Sequence, residues 1–302
     1  MESFREVGAR LRNWGRWGDD DELGTINLIT PDLVVAAAAL VRTGRIFDLG
    51  IPFASDGPQP GGARINPVHL MRDTGAGQVY PGGFHFADDY IFMPLQSASQ
   101  WDALSHVFYD EQLYNGYPTS EVGPRGAGKL AIDKMGRGIA GRGVLLDIAR
   151  LKGVDWLEKG YAITPADLDA AVERQGVQVG RGDILLIRTG WRQVFTTTRD
   201  ASKFMDGEPG LGLATTQWLY DRDVAAVCSD NWAIEVLPSE DEKFAVHCVL
   251  IRDMGMPLGE ILDFEELAAD CAADGVYEFF FSAPPIKFAG AVGSPINPLV
   301  FK

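Results

Sequence analysis

Short apolar runs separated by turn residues set the pattern of this chain. GVLLDIA (143–149), DILLIR (183–188) and VAAVCSD (224–230) are β-branched and apolar, and helical segments separate the later ones, as in a mostly parallel or mixed sheet. Upstream, Thr30 ahead of Pro31 is an N-cap with proline in the first turn, and the Val/Ala/Leu-rich run from Leu33 to Val41 stops before Gly44, which predicts a helix over 31–42. RIFDLGIPF (45–53) reads as a strand broken by Pro52, and the Gly/Pro-rich span from Gly57 to Gly62 reads as a loop able to cover a site. Thr164, Pro165 and Asp167 open another helix. Ser239 and Glu242 form an S-x-x-E capping box that predicts a helix from about 240 to Gly255, and Asp263 with Glu266 resembles the start of a third. No repeat, charge block or low-complexity linker divides the chain, so residues 1–302 are expected to form a single domain with an extended N-terminal segment.

Composition narrows the functional classes. With 302 residues and 46% hydrophobic content the chain can bury a sizeable core. Its 27 Lys+Arg against 42 Asp+Glu leave a formal charge of -15, which repels nucleic-acid phosphates and anionic membranes, so neither is an expected partner. MESFREVGARLRNWGRWGDDDELG lacks the apolar stretch and small-residue cleavage site of a leader, and no run of roughly 18 apolar residues occurs. Three cysteines, Cys228, Cys248 and Cys271, make no CxxC pair, which argues against a disulfide framework or a structural zinc knuckle and places the protein in a reducing cytoplasm.

The candidate chemistry lies in three places. The chain has four histidines, His69, His85, His106 and His247, so a three-histidine metal site would need nearly all of them, and a mixed site with carboxylate or amide oxygens fits better. In QSASQWDALSH (96–106), Asp102 and His106 share a face if the segment is helical, whereas Gln100 and Asp102 share a side if it is extended. An Asp and a His at this spacing also suit a surface pair or a core hydrogen bond. In the helix opened by Ser239, Phe244, His247, Ile251 and Met254 recur at helical spacing, which puts His247 on the core-facing stripe, where a buried imidazole needs partners. Glu260 then follows in Gly255-Met256-Pro257-Leu258-Gly259-Glu260, a carboxylate set among apolar and glycine residues. Trp101, Phe108 and Tyr109 could wall a pocket for a flat ring, or be plain core.

These stretches resemble the cyclase-type metal-dependent hydrolases, the superfamily that includes kynurenine formamidase and isatin hydrolase. QSASQWDALSH is similar to that group's H-x-G-T-H-x-D-x-x-x-H, with Asp102 on its Asp and His106 on its last His. His247 and Glu260 are similar to its later His and the Glu of a G-x-P-x-G-E-like turn. WGDDDELGTINLITP (17–31), GDILLIRTGW (182–191) and GSPINP (293–298) fit as well, so the resemblance runs over nearly the whole chain. It implies an α/β fold with a mixed β-sheet core and surrounding helices, of the swivelling β/β/α kind, and a homo-oligomer, dimer or tetramer. It also implies a hydrolase of a small cyclic amide, acyl amide or lactone, with Asp102, His247 and Glu260 as ligands of a divalent metal and His106 moving the proton.

Gln96 and Gln100 stand where that group has metal-binding histidines. A glutamine carbonyl is a neutral, hard donor, so a site that keeps Gln100 as a ligand leans toward Mn²⁺ or Mg²⁺ over Zn²⁺, with Gln96 lining the substrate pocket. His69, His85 or the Asp88-Asp89 pair could supply a replacement ligand. Two other classes fit the same residues: a lyase or cyclase using His106 and Glu260 as an acid/base pair, and a metal-free small-molecule binder on the same fold.

Overall fold

A computed structural model describes residues 2–77, 80–136 and 139–302. Its centre is a nine-stranded mixed sheet in the order Ile46–Asp48, Leu299–Phe301, Glu278–Ser282, Ala140–Asp147, Ile184–Arg188, Ala226–Ser229, Leu258–Glu260, Gln100–Asp102 and Gly293–Pro295. The four strands from Ala140–Asp147 to Leu258–Glu260 run parallel, and antiparallel strands flank them on both sides. The α/β fold and mixed core expected from the apolar runs are therefore present.

Alternation along the parallel strands builds two separate cores. Val144, Leu146, Leu185, Ile187, Val227 and Leu258 point into one, with Leu168 and Ala171 of the helix Pro165–Gln175 and the buried turns after His247. Leu145, Ile184, Leu186, Ala226 and Cys228 point into the other, with Leu267, Ala268 and Cys271 of the helix Glu265–Asp274. A parallel sheet covered on both faces needs such continuous apolar strands, since neither face meets water. Trp101 belongs to the second core, which leaves its neighbours Gln100 and Asp102 on the face of the first. Pro295 sits on the edge strand beside Gln100, where its missing N–H costs no ladder bond.

Several elements are shorter than the sequence pattern predicts. The helix at Pro31 ends at Ala38 rather than 42, because Leu40 and Val41 close tighter turns onto Ala37 and Ala38, and Thr43 and Gly44 then donate to the Lys302 carbonyl. The strand expected over 45–53 keeps sheet pairing only at Ile46–Asp48; Leu49 turns to Pro298 and Ile51 to the Ser99 hydroxyl. The helix expected at Asp263 starts at Glu265, with the Asp263 carboxylate accepting the Glu265 N–H at 3.1 Å. The Thr164 cap is as expected, reciprocated by Asp167. All three cysteines are free and buried, and among the described residues no helix is long and apolar enough to cross a membrane.

One element projects from this body. Val68–Asp73 and Asp88–Phe92 form a separate antiparallel hairpin whose Leu70, Met71, Tyr90, Ile91 and Phe92 are all exposed.

Candidate active site

The segment after Gln96 is extended where the chemistry lies. Gln100–Asp102 is a strand, paired antiparallel with Leu258–Glu260, and Gln100 lies opposite Glu260 in that register. Gln100 and Asp102 therefore share a side, together with Glu260. Gly259 faces Trp101 across the same pairing, and a Cβ there would lie 2.6 Å from Cys228 Sγ and 2.9 Å from the Trp101 ring. Only glycine lets the indole pack so close, which fixes the strand that carries Glu260.

His247 arrives from the other direction. The helix predicted over 240–255 starts only at Ala245, because residues before it are turned and Phe244 takes a left-handed conformation with φ 60°. Ser239 is not its cap: the hydroxyl accepts the Phe244 N–H at 3.1 Å and donates to Glu235 at 3.0 Å. After His247 the chain widens into π-helical turns from Cys248 to Met254, every residue buried, a form common at functional sites. The N-terminal segment clamps the end of these turns. Asn13 Nδ2 donates to the Met254 carbonyl and Trp14 Nε1 to that of Arg252, each at 2.9 Å, while the Thr25 N–H reaches Gly255 at 2.8 Å.

Single donor atoms of Asp102, His247 and Glu260, all buried, lie within 4.8 Å of one another. His247 Nε2 stands 3.1 Å from Glu260 Oε1, and Gln100 Nε2 donates to Glu260 Oε2 at 2.6 Å. On the far side of the imidazole, Nδ1 meets Glu235 Oε1 at 2.6 Å, and Glu235 also accepts the backbone N–H groups of Val246 and His247. Glu235 escaped the sequence analysis. The signal was the one that singled out Glu260, a carboxylate between apolar neighbours, here Ile234 and Val236.

The electrostatics favour a cation. Burial pushes the Glu260 carboxyl up, the Asp102 charge adds to this, and His247 only partly offsets them, leaving it at about 7. Burial opposes a charge on His247, but hydrogen bonds and charge from Glu235 and Glu260 outweigh it and hold the imidazolium up to about 10. Asp102 Oδ1 and Gln100 Oε1 are buried without a hydrogen-bond partner. The unpartnered oxygens of Asp102 and Gln100, with the His247 imidazole and the Glu260 carboxylate, form a donor set that a divalent cation would satisfy, with the Glu235 contact orienting the ring.

His106 stands at the edge of this group. A tight turn, its N–H on the Ala103 carbonyl, brings Nε2 to 3.7 Å from Asp102 Oδ2, and Gln96 Nε2 lies 3.5 Å from its Nδ1. Gly293 makes room for the Gln96 amide, since a Cβ there would collide with it. Burial lowers the His106 pKa below its ordinary value, Asp102 opposes this, and Arg64 and His247 add to it, so the ring is neutral near pH 7.

A cavity of about 320 Å³ opens on His106 and His247, with Trp232, Phe244 and Met205 among its apolar walls. Gln59, Pro60 and Gly61 of the span read as a covering loop form part of its lining, and Ala63 and Arg64 just beyond that span extend it. Of the residues expected to wall a pocket, Trp101 is instead wholly buried in the second core, its indole N–H on the Ala283 carbonyl at 2.7 Å. Phe108 is exposed outside this lining, and Tyr109 donates to Asp253 and packs against Phe4 of the helix Phe4–Arg10. His69, His85, Asp88 and Asp89 stand apart from the ligand group: His69 pairs with Asp89 at 2.7 Å on the exposed hairpin, and His85 bonds the Gly75 carbonyl.

Residues 47–236 match the family profile Cyclase, described as "Putative cyclase". A crystal structure described as a novel cyclase is 46% identical, covers 96% of this chain and 99% of its own, and superposes with a TM-score of 0.90. Isatin hydrolase A from Ralstonia solanacearum is 18% identical over 90% of this chain and 97% of its own, with a TM-score of 0.65. A "potential metal-dependent hydrolase with cyclase activity" is 15% identical over 85% of this chain and 98% of its own, at a TM-score of 0.54. The last two likenesses concern the fold. A search of curated proteins gave no match.

Proposed function

Because this chain belongs to the cyclase family, we propose that it is a metal-dependent hydrolase that opens a C–N or C–O bond of a small cyclic amide, acyl amide or lactone. The observation that carries this reading is the buried trio Asp102, His247 and Glu260, with the unpartnered oxygens of Asp102 and Gln100 beside it. These residues would hold the cation, with Gln100 Oε1 as an additional oxygen donor. Mn²⁺ suits the mixed oxygen and imidazole set, Zn²⁺ is the other candidate, and Mg²⁺ fits the oxygens. When bound, the ion supplies Lewis acidity that polarises a carbonyl and acidifies water.

The protein's own residues do the rest. Glu235 holds His247 through Nδ1 and so presents Nε2 to the site. His106, neutral near pH 7 and lining the cavity, takes the proton of the attacking water and returns it to the leaving nitrogen or oxygen. Asp102, 3.7 Å away, stabilises the imidazolium while it carries that proton. Trp232 and Phe244 give a small ring an apolar wall that keeps water from the bond under attack. A homo-oligomer accompanies this reading, and the exposed apolar hairpin is the surface suited to it.

His106→Asn is expected to keep its metal and its melting temperature while turnover in a screen of cyclic amides, acyl amides and lactones falls about 100-fold to 10,000-fold. Loss of metal together with activity would make His106 a ligand instead. Retained activity would remove it from the mechanism. Glu260, with its carboxyl held near neutrality, favours one second reading, a lyase or cyclase that uses His106 and Glu260 as acid and base. That reading requires turnover in protein stripped of metal by a chelator.

A further inference from the structure

The cavity wall carries one permanent cation that the proposed hydrolysis leaves unused. Among the described residues lining it, Arg64 is the single guanidinium or ammonium, and no carboxylate lines it. Its recorded contacts are weak ones. Nη1 donates to the Gln96 carbonyl at a long 3.4 Å, and the guanidinium lies 5.1 Å from the centre of the Trp232 ring. Among the described residues no carboxylate comes within ion-pair distance of Arg64, although 42 acidic residues against 27 basic ones make such pairing easy elsewhere on this chain. A half-buried arginine with most of its donors unused, its charge over an indole in the wall of a cavity, is arranged to receive a planar anion.

Its reach covers the reacting groups. Arg64 lines the same cavity as His106 and His247, and the Gln96 whose carbonyl it reaches has its side-chain amide 3.5 Å from His106 Nδ1. Trp232 and Phe244, with ring centres 6.3 Å apart, form an aromatic wall beside it. At about 320 Å³ the space suits one small ring with a substituent or two.

We propose that Arg64 determines specificity, selecting small aromatic substrates that carry a carboxylate besides the amide or ester bond that is opened. The inference rests on the hydrolase reading of the same cavity, with the ring on Trp232 and Phe244, the carboxylate on Arg64 and the scissile carbonyl toward Asp102, His247 and Glu260. Gly61 and Gly62, both with positive φ and open space where a Cβ would be, let the loop carrying Arg64 turn without strain.

Benzoate and benzamide serve as probes, because they share a ring and differ in charge. Calorimetric titration of the purified, metal-containing protein is expected to show benzoate binding at least about tenfold more tightly than benzamide, as a charge-assisted bond implies. Arg64→Gln should bring the two within about twofold while benzamide affinity holds, and Arg64→Lys should restore part of the preference. Equal binding by the unaltered protein, binding of neither probe, or a preference that survives Arg64→Gln overturns the proposal. A preference lost in Asp102→Asn but kept in Arg64→Gln would place the carboxylate on the metal instead, and also overturns it. Failure of the hydrolase reading looks different: benzoate preference through Arg64 persists, but no amide, ester or lactone bearing a carboxylate is turned over.

Discussion

His247 Nε2 cannot carry a proton and a cation at once. Without metal, Glu235 and Glu260 hold the imidazolium up to about 10 against the cost of burial, so at neutral pH a cation must displace that proton. Below about 7 the Glu260 carboxyl holds a second one. Metal affinity should therefore rise with pH, by about tenfold per unit between neutrality and pH 10 and more steeply below it, as measured by chelator competition. A flat profile would mean that His247 is not a ligand. The same shifts act on stability. Both folded-state pKa values are raised, so in metal-free protein the contribution of Glu260 is full below its unfolded value and lost as pH climbs to about 7. That of His247 is lost as pH climbs to about 10. At this scale the sequence was informative where a residue was chemically out of place. Asp102, His106, His247 and Glu260 stood out and come together, whereas Arg64 lies just beyond the span from Gly57 to Gly62 that composition marks as a loop, with nothing local to show that it faces a cavity.

Elements determine which of those residues can meet. Of the two conformations left open for this segment the strand is realised, so Gln100 and Asp102 share the site, and a turn brings His106 to Asp102. The apolar stripe through His247 gave the right buried face but the wrong length. The Ser239 capping pattern was locally sound, yet Ser239 is drawn to Glu235 and the helix begins six residues later. No rule of period marks a π-helical turn in a run buried on every side, as Cys248–Met254 is. Gly259 tests the strand that positions Glu260. Gly259→Ala should lower stability by about 1–3 kcal/mol, read as a shift in the denaturant midpoint, because its methyl group meets Cys228 and the Trp101 ring. An unshifted midpoint would show that the strand has room to move, and that the indole does not set its position.

The whole molecule ties the site to both ends of the chain. The N-terminal segment clamps the turns after His247, Gly293–Pro295 pairs with the strand of Asp102, and the parallel strands supply Glu260 from the middle of the same sheet. The apolar runs made that sheet legible, since strands buried on both faces need them. The hairpin was not legible, because its two strands are exposed and carry no alternation that a core would impose. What unites these parts is the claim that they converge on a cation held by Asp102, His247 and Glu260. Metal content and melting temperature of protein purified without chelator, compared with Asp102→Asn, test it most directly. The account predicts a stoichiometric divalent ion in the unaltered protein and none in the variant. The metal-free melting temperature should hold or rise in the variant, since Glu260 loses its like-charged neighbour. An Asp102→Asn protein that keeps its stoichiometric ion, or an unaltered protein that holds none, would contradict the account.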